Sequence, residues 1–276
     1  VLDYGAVDFY ENHIHTKSSA EFYDFVGKYN FVAGHNIIDH DCKYLNISND
    51  KVLIDTLWLS PLLFPNKPYH RLLKDDKILT DQLNNPLNDA LKAMELFIDE
   101  VETFGKLESA TKNIWHALLG NSEYFSGFFK YVGFVSEFIN LNQSIRKQYE
   151  NKICENADIL QFIDNQREDL AYALAIIETC DRTSITPRWV LKRLPRTENI
   201  IKTLRNHSCG KCQYCLSELD AKVQLKKYFG YPDFRKYNGE PLQEMAAKAA
   251  IEGKSVLAIF PTGGGKSLTF QLPALV

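Results

Sequence analysis

Two sets of residues in this chain have the types and spacing that chemistry requires. The first is the run Phe260-Pro261-Thr262-Gly263-Gly264-Gly265-Lys266-Ser267. Glycines let backbone N–H groups converge on phosphate oxygens without side-chain interference. Lys266, at the end of such a turn, would place its ammonium on the β- and γ-phosphates of a nucleotide, and the Ser267 hydroxyl would ligate Mg²⁺. Thr262, Gly263, Gly264, Gly265, Lys266 and Ser267 are therefore the expected phosphate-binding residues. The GxxxxGK[ST] spacing is broken at one place, where Phe260 stands for the first glycine. The second set is Cys209-x-x-Cys212-x-x-Cys215. Three thiolates in one tight turn suit Zn²⁺, which takes four ligands in a tetrahedron, so one ligand comes from elsewhere. His207 and Cys180 are candidates, and Cys154 is a weaker one. An iron–sulfur cluster is the rival, since three close cysteines and one distant one also suit it.

The glycine turn has the neighbours it needs. Ser255 to Phe260 reads as a strand, and Leu268 to Leu275 as the helix whose N-terminus faces the phosphates. Upstream, Val1 to Phe9 and His13 to Lys17 read as two strands around a turn near Glu11-Asn12. Ser18-Ser19-Ala20-Glu21 is a capping box that opens a helix. Phe31-Val32-Ala33-Gly34 and Lys51 to Thr56 read as further strands. Asn85-Pro86 caps an amphipathic helix with Leu87, Leu91, Met94, Ile98 and Val101 as its core stripe, ending at Gly105. Residues 106–206 read as mostly helical, with an aromatic-rich apolar segment from Tyr124 to Phe138 as core. A new helix is expected at Thr186-Pro187, with Thr186 as cap.

Length and composition bound the class. The chain has 276 residues, a net charge of −3 and six cysteines. That is enough for two domains and a sizeable core. There is no global basic signature, only local clusters at Arg188 to Arg193 and Lys222 to Lys227. No apolar run approaches membrane-spanning length, so no membrane partner is expected. Clustered cysteines beside a nucleotide motif point to metal binding in a reducing, cytoplasmic compartment rather than to disulfides.

The end of the chain resembles the start of a RecQ-type DNA helicase motor. The resemblance rests on Tyr228 to Arg235 (YFGYPDFR), on Leu242-Gln243-Glu244, and on Pro261 to Leu275 (PTGGGKSLTFQLPAL). It covers about residues 226–276. It implies ATP and Mg²⁺ as cofactors, DNA as partner, and roles in DNA repair and recombination. It also implies that Tyr231 stacks on the adenine, with Arg235 beside it, and that Gln243 hydrogen-bonds the adenine edge. An aromatic face with an amide is a minimal grip on a purine, because the amide supplies both a donor and an acceptor. The gap from Lys236 to Leu242 is longer than the family's. A motor of this kind continues past Val276, so the chain reads as a piece of a longer protein, with its Walker B carboxylate and arginine fingers outside it. By itself it is expected neither to hydrolyse ATP nor to unwind DNA.

The first third resembles the DEDD, or DnaQ-like, 3′–5′ exonuclease fold. Gly34 to Leu45 (GHNIIDHDCKYL) is similar to that family's second motif, which places Asp41 as a metal ligand, with Asp39 as the lesser register. Asn84 to Ala90 (NNPLNDA) is similar to the third, with Asp89 as the carboxylate. Such nucleases hold two Mg²⁺ with four carboxylates and activate water with a histidine. Here the first-motif Asp-x-Glu is not in the chain, and Asn84 stands for the histidine. An amide cannot take a proton from water.

The expected architecture is α/β. It comprises a truncated ribonuclease H-like exonuclease domain (1–105), a helical region (106–206), a cysteine knuckle with its connecting helix (207–225), and the beginning of a RecA-like P-loop domain (226–276). The expected function is part of an ATP-dependent DNA helicase fused to an exonuclease-like domain. The alternative is a nucleic-acid-binding adaptor whose nuclease domain has lost catalysis.

Overall fold

Residues 3–47, 49–72, 85–179 and 186–276 are described by a computed structural model. The chain divides into two compact units: Val1–Ser144 with Gln166–Thr197, and Ile145–Asn165 with Glu198–Val276.

In the first unit, β1 (Tyr4–Val7) and β2 (His13–Thr16) pair antiparallel, Tyr4 opposite Thr16 and Val7 opposite His13. The turn between them rests on Asp8, whose carboxylate accepts from the Tyr10 and Asn12 N–H groups at 2.8 and 2.9 Å. Helix α1 (Ser19–Val26) is capped by Ser18, which accepts from the Glu21 N–H at 3.4 Å. The expected capping box is only half made. The Glu21 carboxylate takes the Thr16 hydroxyl instead of the Ser18 N–H, and that N–H goes to Thr16 Oγ1 at 3.0 Å.

Strands β3 (Phe31–Gly34) and β4 (Val52–Asp55) pair parallel, Gly34 opposite Asp55. Thr56, expected in the strand, opens α2 (Thr56–Leu63), because Asp55 accepts from the Leu57 N–H and caps it. Helix α3 (Pro86–Lys106) starts where Asn85 and Pro86 place it, with Asn85 Oδ1 accepting from the Leu87 N–H at 2.9 Å.

Its buried face differs from the expected stripe. Ala93, Phe97, Glu100 and Phe104 point inward, while Leu87, Leu91, Met94 and Val101 are half-buried and Ile98 is exposed. Phe97 meets Tyr131 and Phe128, and Phe104 meets Phe128, Phe129 and Phe134. Aromatic rings bury more area per residue than aliphatic chains, so they set the phase of the helix. Glu100 travels inward with them, and burial raises its carboxyl well above the usual range. Helices α4 (Ser109–Leu119) and α5 (Ser126–Tyr131) follow. Phe125, Phe128 and Phe129 are core, but Val135 and Phe138, expected with them, are exposed.

The division between units falls inside α6 (Leu141–Gln148), and α7 (Leu160–Asn165) belongs to the second unit. The chain then returns to the first unit through α8 (Arg167–Glu178), whose Leu170–Ile177 stretch is wholly buried, and α9 (Arg188–Arg193). The cap of α9 is Pro187 and makes no side-chain bond, one residue later than the expected Thr186. The second unit resumes at Glu198, inside α10 (Thr197–Arg205), and continues with α11 (Gln213–Glu218), α12 (Ala221–Phe229), α13 (Leu242–Ile251) and α14 (Leu268–Leu275). Residues 254–260 form no strand ladder among the described residues, and Leu257 and Ile259 are exposed. The strand expected there has no neighbour to exchange hydrogen bonds with. Among the described residues no helix is long and apolar enough to cross a membrane.

The first unit holds one buried imidazole, His70, and one half-buried, His35. His35 Nδ1 lies 3.0 Å from Thr56 Oγ1, and His70 Nδ1 lies 2.8 Å from Ser60 Oγ. Burial lowers each ring to about 4. The stability each confers is therefore full above about 6.5 and lost as pH falls through about 4. Asp55 runs the other way. Burial pushes it up to about 6 against three backbone N–H donors, so its share is lost as pH rises through that value. Imidazole resonances followed by NMR should titrate near pH 4 for both rings. A midpoint near 6.5 for either would mean that ring is solvated.

Candidate nucleotide site and cysteine centre

Helix α12 is capped by Asp220, which accepts from Lys222 and Val223 N–H at 2.9 Å each, and ends at Gly230 with φ +71°. Beyond that glycine Tyr231 is 56% exposed, its ring parallel to Phe229 with centroids 6.4 Å apart, and Phe234 is buried. The extra residues after Arg235 form a two-residue hairpin. Tyr237 and Glu240 exchange both N–H···O bonds at 2.9 Å, around Asn238 and Gly239 at φ +50° and +86°. An Asn-Gly pair is the natural occupant of such a turn. The hairpin returns the chain to Pro241 and α13, so Gln243 reaches the glycine turn despite the longer gap.

Three side chains from this segment hold three consecutive carbonyls of that turn. Arg235 Nη1 donates to Gly263 O at 3.0 Å, the Tyr237 hydroxyl donates to Gly264 O, and Gln243 Nε2 donates to Gly265 O at 2.9 Å. Gln243 Oε1 in turn accepts from the Arg235 N–H at 2.9 Å. Gly263 and Gly265 have φ of +77° and +65°, which glycine adopts without steric cost. Among the described residues, no hydrogen bond uses the backbone N–H of Gly263, Gly265, Lys266 or Ser267. Unpaired backbone amides in a glycine-rich turn are what an anion cradle requires. Lys266 is exposed beside it, and Ser267 caps α14 without spending its hydroxyl on that helix. Phe260, the residue that breaks the glycine spacing, is buried with its ring 4.9 Å from Tyr237.

Gln243 was expected at a purine edge. It is 2% exposed, and its amide is already spent on Arg235 and Gly265, leaving one N–H and one lone pair. Nothing in the sequence singled out Tyr237. The Asn-Gly pair after it was the available signal, since it marks a turn that must place its flanks side by side.

The basic clusters are partly spent on ion pairs. Lys222 meets Asp233 and Glu244 at 3.1 and 3.4 Å, Lys227 meets Glu218 at 3.5 Å, and Arg193 pairs with Asp39.

The knuckle cysteines gather with a fourth. The sulfurs of Cys154, Cys209, Cys212 and Cys215 all lie within 4.8 Å of one another. Cys154 was the weaker candidate, and His207 is not in the group; Cys180 lies outside the described residues. The Lys211 backbone N–H is the main cause holding the Cys209 thiol down, to about 6, while burial pushes Cys215 up to about 12.

In the first unit, Asp41 opens a short 3-10 turn (Asp41–Lys43) and pairs with His40 at 2.9 Å. Asp89 lies in the first turn of α3. Asp39 is taken up by Arg193, by Trp58 Nε1 at 3.3 Å and by the Tyr124 hydroxyl at 3.4 Å. The loop leading to Asp41 is held by Asp55, a residue the motif reading passed over, which accepts from the Asn36 and Ile38 N–H groups at 2.9 and 3.1 Å. Among the described residues, neither Asp41 nor Asp89 belongs to a group of three or more metal-capable side chains. Asn84 lies outside the described residues.

Comparison with known proteins adds a family signal at the glycine turn. Residues 240–276 match the family model for DEAD/DEAH box helicases. The chain is 49% identical over 60 residues to ATP-dependent DNA helicase Q5 of Rattus norvegicus, covering 21% of this chain and 6% of that protein. It is 47% identical over 53 residues to ATP-dependent helicase SGS1 of Saccharomyces cerevisiae, covering 19% and 3%. With ATP-dependent DNA helicase Q-like 4B of Arabidopsis thaliana it shares 28% identity over 122 residues, covering 44% and 8%. The chain thus spans a small part of the curated relatives it matches. No solved structure matches it. Its likeness to known proteins is that of a RecQ-type helicase fragment.

Proposed function

We propose that this chain carries the nucleotide-binding start of a RecQ-type, ATP-dependent DNA helicase, with residues 226–276 as the opening of a RecA-like domain. The supporting observation is the cradle. The carbonyls of Gly263, Gly264 and Gly265 are drawn back while the amides of Gly265, Lys266 and Ser267 stay unpaired beside the lysine. These residues fit a triphosphate. In this reading Thr262 and the three glycines border the phosphates, Lys266 neutralises them, and Ser267 holds Mg²⁺. Tyr231 offers its exposed face to the purine, with Arg235 and the remaining valences of Gln243 beside it. ATP turnover would supply the work of strand separation on DNA. Lys266→Ala should lower ATP affinity, measured by direct titration of the protein with Mg²⁺ present, at least tenfold, or about 1.4 kcal/mol. Unchanged affinity would falsify the assignment.

The knuckle cysteines Cys209, Cys212 and Cys215 hold a metal in this reading, Zn²⁺ or an iron–sulfur cluster. Residues 1–105 form an exonuclease-like domain with Asp41 and Asp89 in its carboxylate positions, joined through the helical region 106–206 to the knuckle at 207–225. Two carboxylates in no larger ligand group do not fit a two-Mg²⁺ centre, so no hydrolytic step is derived from them. Asn84, which stands where such nucleases carry their histidine, favours the second reading, in which this domain docks nucleic acid or a partner and cuts nothing.

A further inference from the structure

We infer that Cys154 completes a tetrathiolate Zn²⁺ centre with Cys209, Cys212 and Cys215. The inference deepens the metal reading of the knuckle and depends on it, but it is independent of the nucleotide site.

The geometry selects the fourth ligand and a single tetrahedral ion over a cluster. Cys154 precedes Cys212 by 58 positions, yet their sulfurs are 4.0 Å apart. A tetrahedral ion with Zn–S bonds of about 2.3 Å sets its sulfurs about 3.8 Å apart along every edge. Six pairs within 4.8 Å therefore converge on one ion with small side-chain adjustments. In an iron–sulfur cluster the four thiolates are shared among two or four iron atoms, so not all six sulfur pairs can sit at single-ion spacing. The 4.0 Å separation of Cys154 and Cys212 is also far beyond a disulfide bond, and the four are free thiols.

The surroundings are those of a ligand set. Cys154, Cys212 and Cys215 are buried, so ionising them there has to be compensated by a cation. N–H donors already surround the sulfurs. Asn156 Nδ2 and the Cys212 N–H reach Cys209 Sγ at 3.2 and 3.3 Å, and the Cys209 N–H reaches Cys215 Sγ at 3.4 Å. Such donors orient metal-bound thiolates and temper their charge. Gly210, at φ +71°, lets the knuckle fold back on itself. Cys154 is fixed in place through its backbone, whose N–H donates to Leu204 O at 2.8 Å.

The centre then has a mechanical task within the second unit. It ties the 145–165 segment to the knuckle and to α11 and α12, the helices that lead to the nucleotide turn. Clipping together points so distant in sequence removes freedom from the unfolded chain, so metal binding contributes directly to folding.

The test uses the whole chain purified with added Zn²⁺. Elemental analysis should find one zinc per chain and no iron. Replacement by Co²⁺ should give the intense sulfur-to-cobalt charge transfer and tetrahedral d–d bands of four thiolates. Chelation should lower the melting temperature by at least about 5 °C. Cys154→Ser should weaken Zn²⁺ binding at least tenfold. Absence of metal would overturn the whole centre. Iron with acid-labile sulfide would overturn the single-ion assignment, and a single iron without sulfide would overturn zinc. A cobalt spectrum of three thiolates, or undiminished zinc affinity in Cys154→Ser, would overturn Cys154 while leaving the knuckle as a metal site. The cobalt spectrum needs no variant and decides the ligand count even if Cys154→Ser does not fold. None of these outcomes bears on Lys266.

Discussion

Gln243→Ala should reduce the affinity for ATP about three- to tenfold, and the loss should be equal for GTP. The amide is buried, and its two bonds join the Arg235 backbone to the Gly265 carbonyl. Removing it takes the partner of the half-buried Arg235 N–H and one of the two donors to Gly265 O, which keeps the Leu268 N–H at 3.2 Å, at a cost of about 1–2 kcal/mol. Part of that cost falls on the glycine turn, since Gly265 O is one of the three carbonyls that side chains hold there. A residue that acts through the loop weakens every nucleotide alike, because the phosphates are common to all. A residue that reads the purine edge weakens ATP and spares GTP. Titrating both nucleotides separates the two, and selective loss of ATP would return Gln243 to the adenine role implied by the resemblance. Tyr237→Phe removes one of three carbonyl holders and keeps the ring on Phe260. It should cost all nucleotides a few-fold, consistent with one hydrogen bond worth about 1 kcal/mol.

The second large effect concerns stability. Gly127→Ala should destabilise the first unit by about 3 kcal/mol or more. Gly127 lies in α5, which packs on β4, and a Cβ there would stand 1.9 Å from Leu53 O and 2.9 Å from Leu53 C. Both are backbone atoms of a paired strand, so relief requires moving the helix or the sheet, not a side chain. Gly105→Ala is the control. It lies near the end of α3 with nothing within 4 Å of its Cβ position, and should be neutral or stabilising by up to about 1 kcal/mol. Urea unfolding of the two variants measures the difference. A loss below about 1 kcal/mol for Gly127→Ala would mean that α5 does not sit on β4 as described.

Much of the local structure was legible in the residues. The hairpin of β1 and β2, the Ser18 and Asn85 caps, and helices α3 and α14 follow from signals within a few positions of one another. Propensity, capping and turn chemistry act over that range. Phases and partners were less legible. The apolar stripe expected on α3 was rotated because Phe97 and Phe104 found rings on other elements. The 254–260 stretch has the composition of a buried strand, but a strand exists only with a neighbour to bond.

The sites divide along the same line. The amino-acid order alone determined the glycine turn, the lysine and serine that follow it, and the three knuckle cysteines, because each is a short run whose chemistry depends on adjacent residues. Tertiary structure decided that Cys154 lies beside the three knuckle sulfurs, that the Tyr237 hydroxyl meets the glycine turn, and that Gln243 is spent on holding that turn. Sequence gives such partners no shared signature. They meet only where packing and hydrogen-bond satisfaction bring separated segments together.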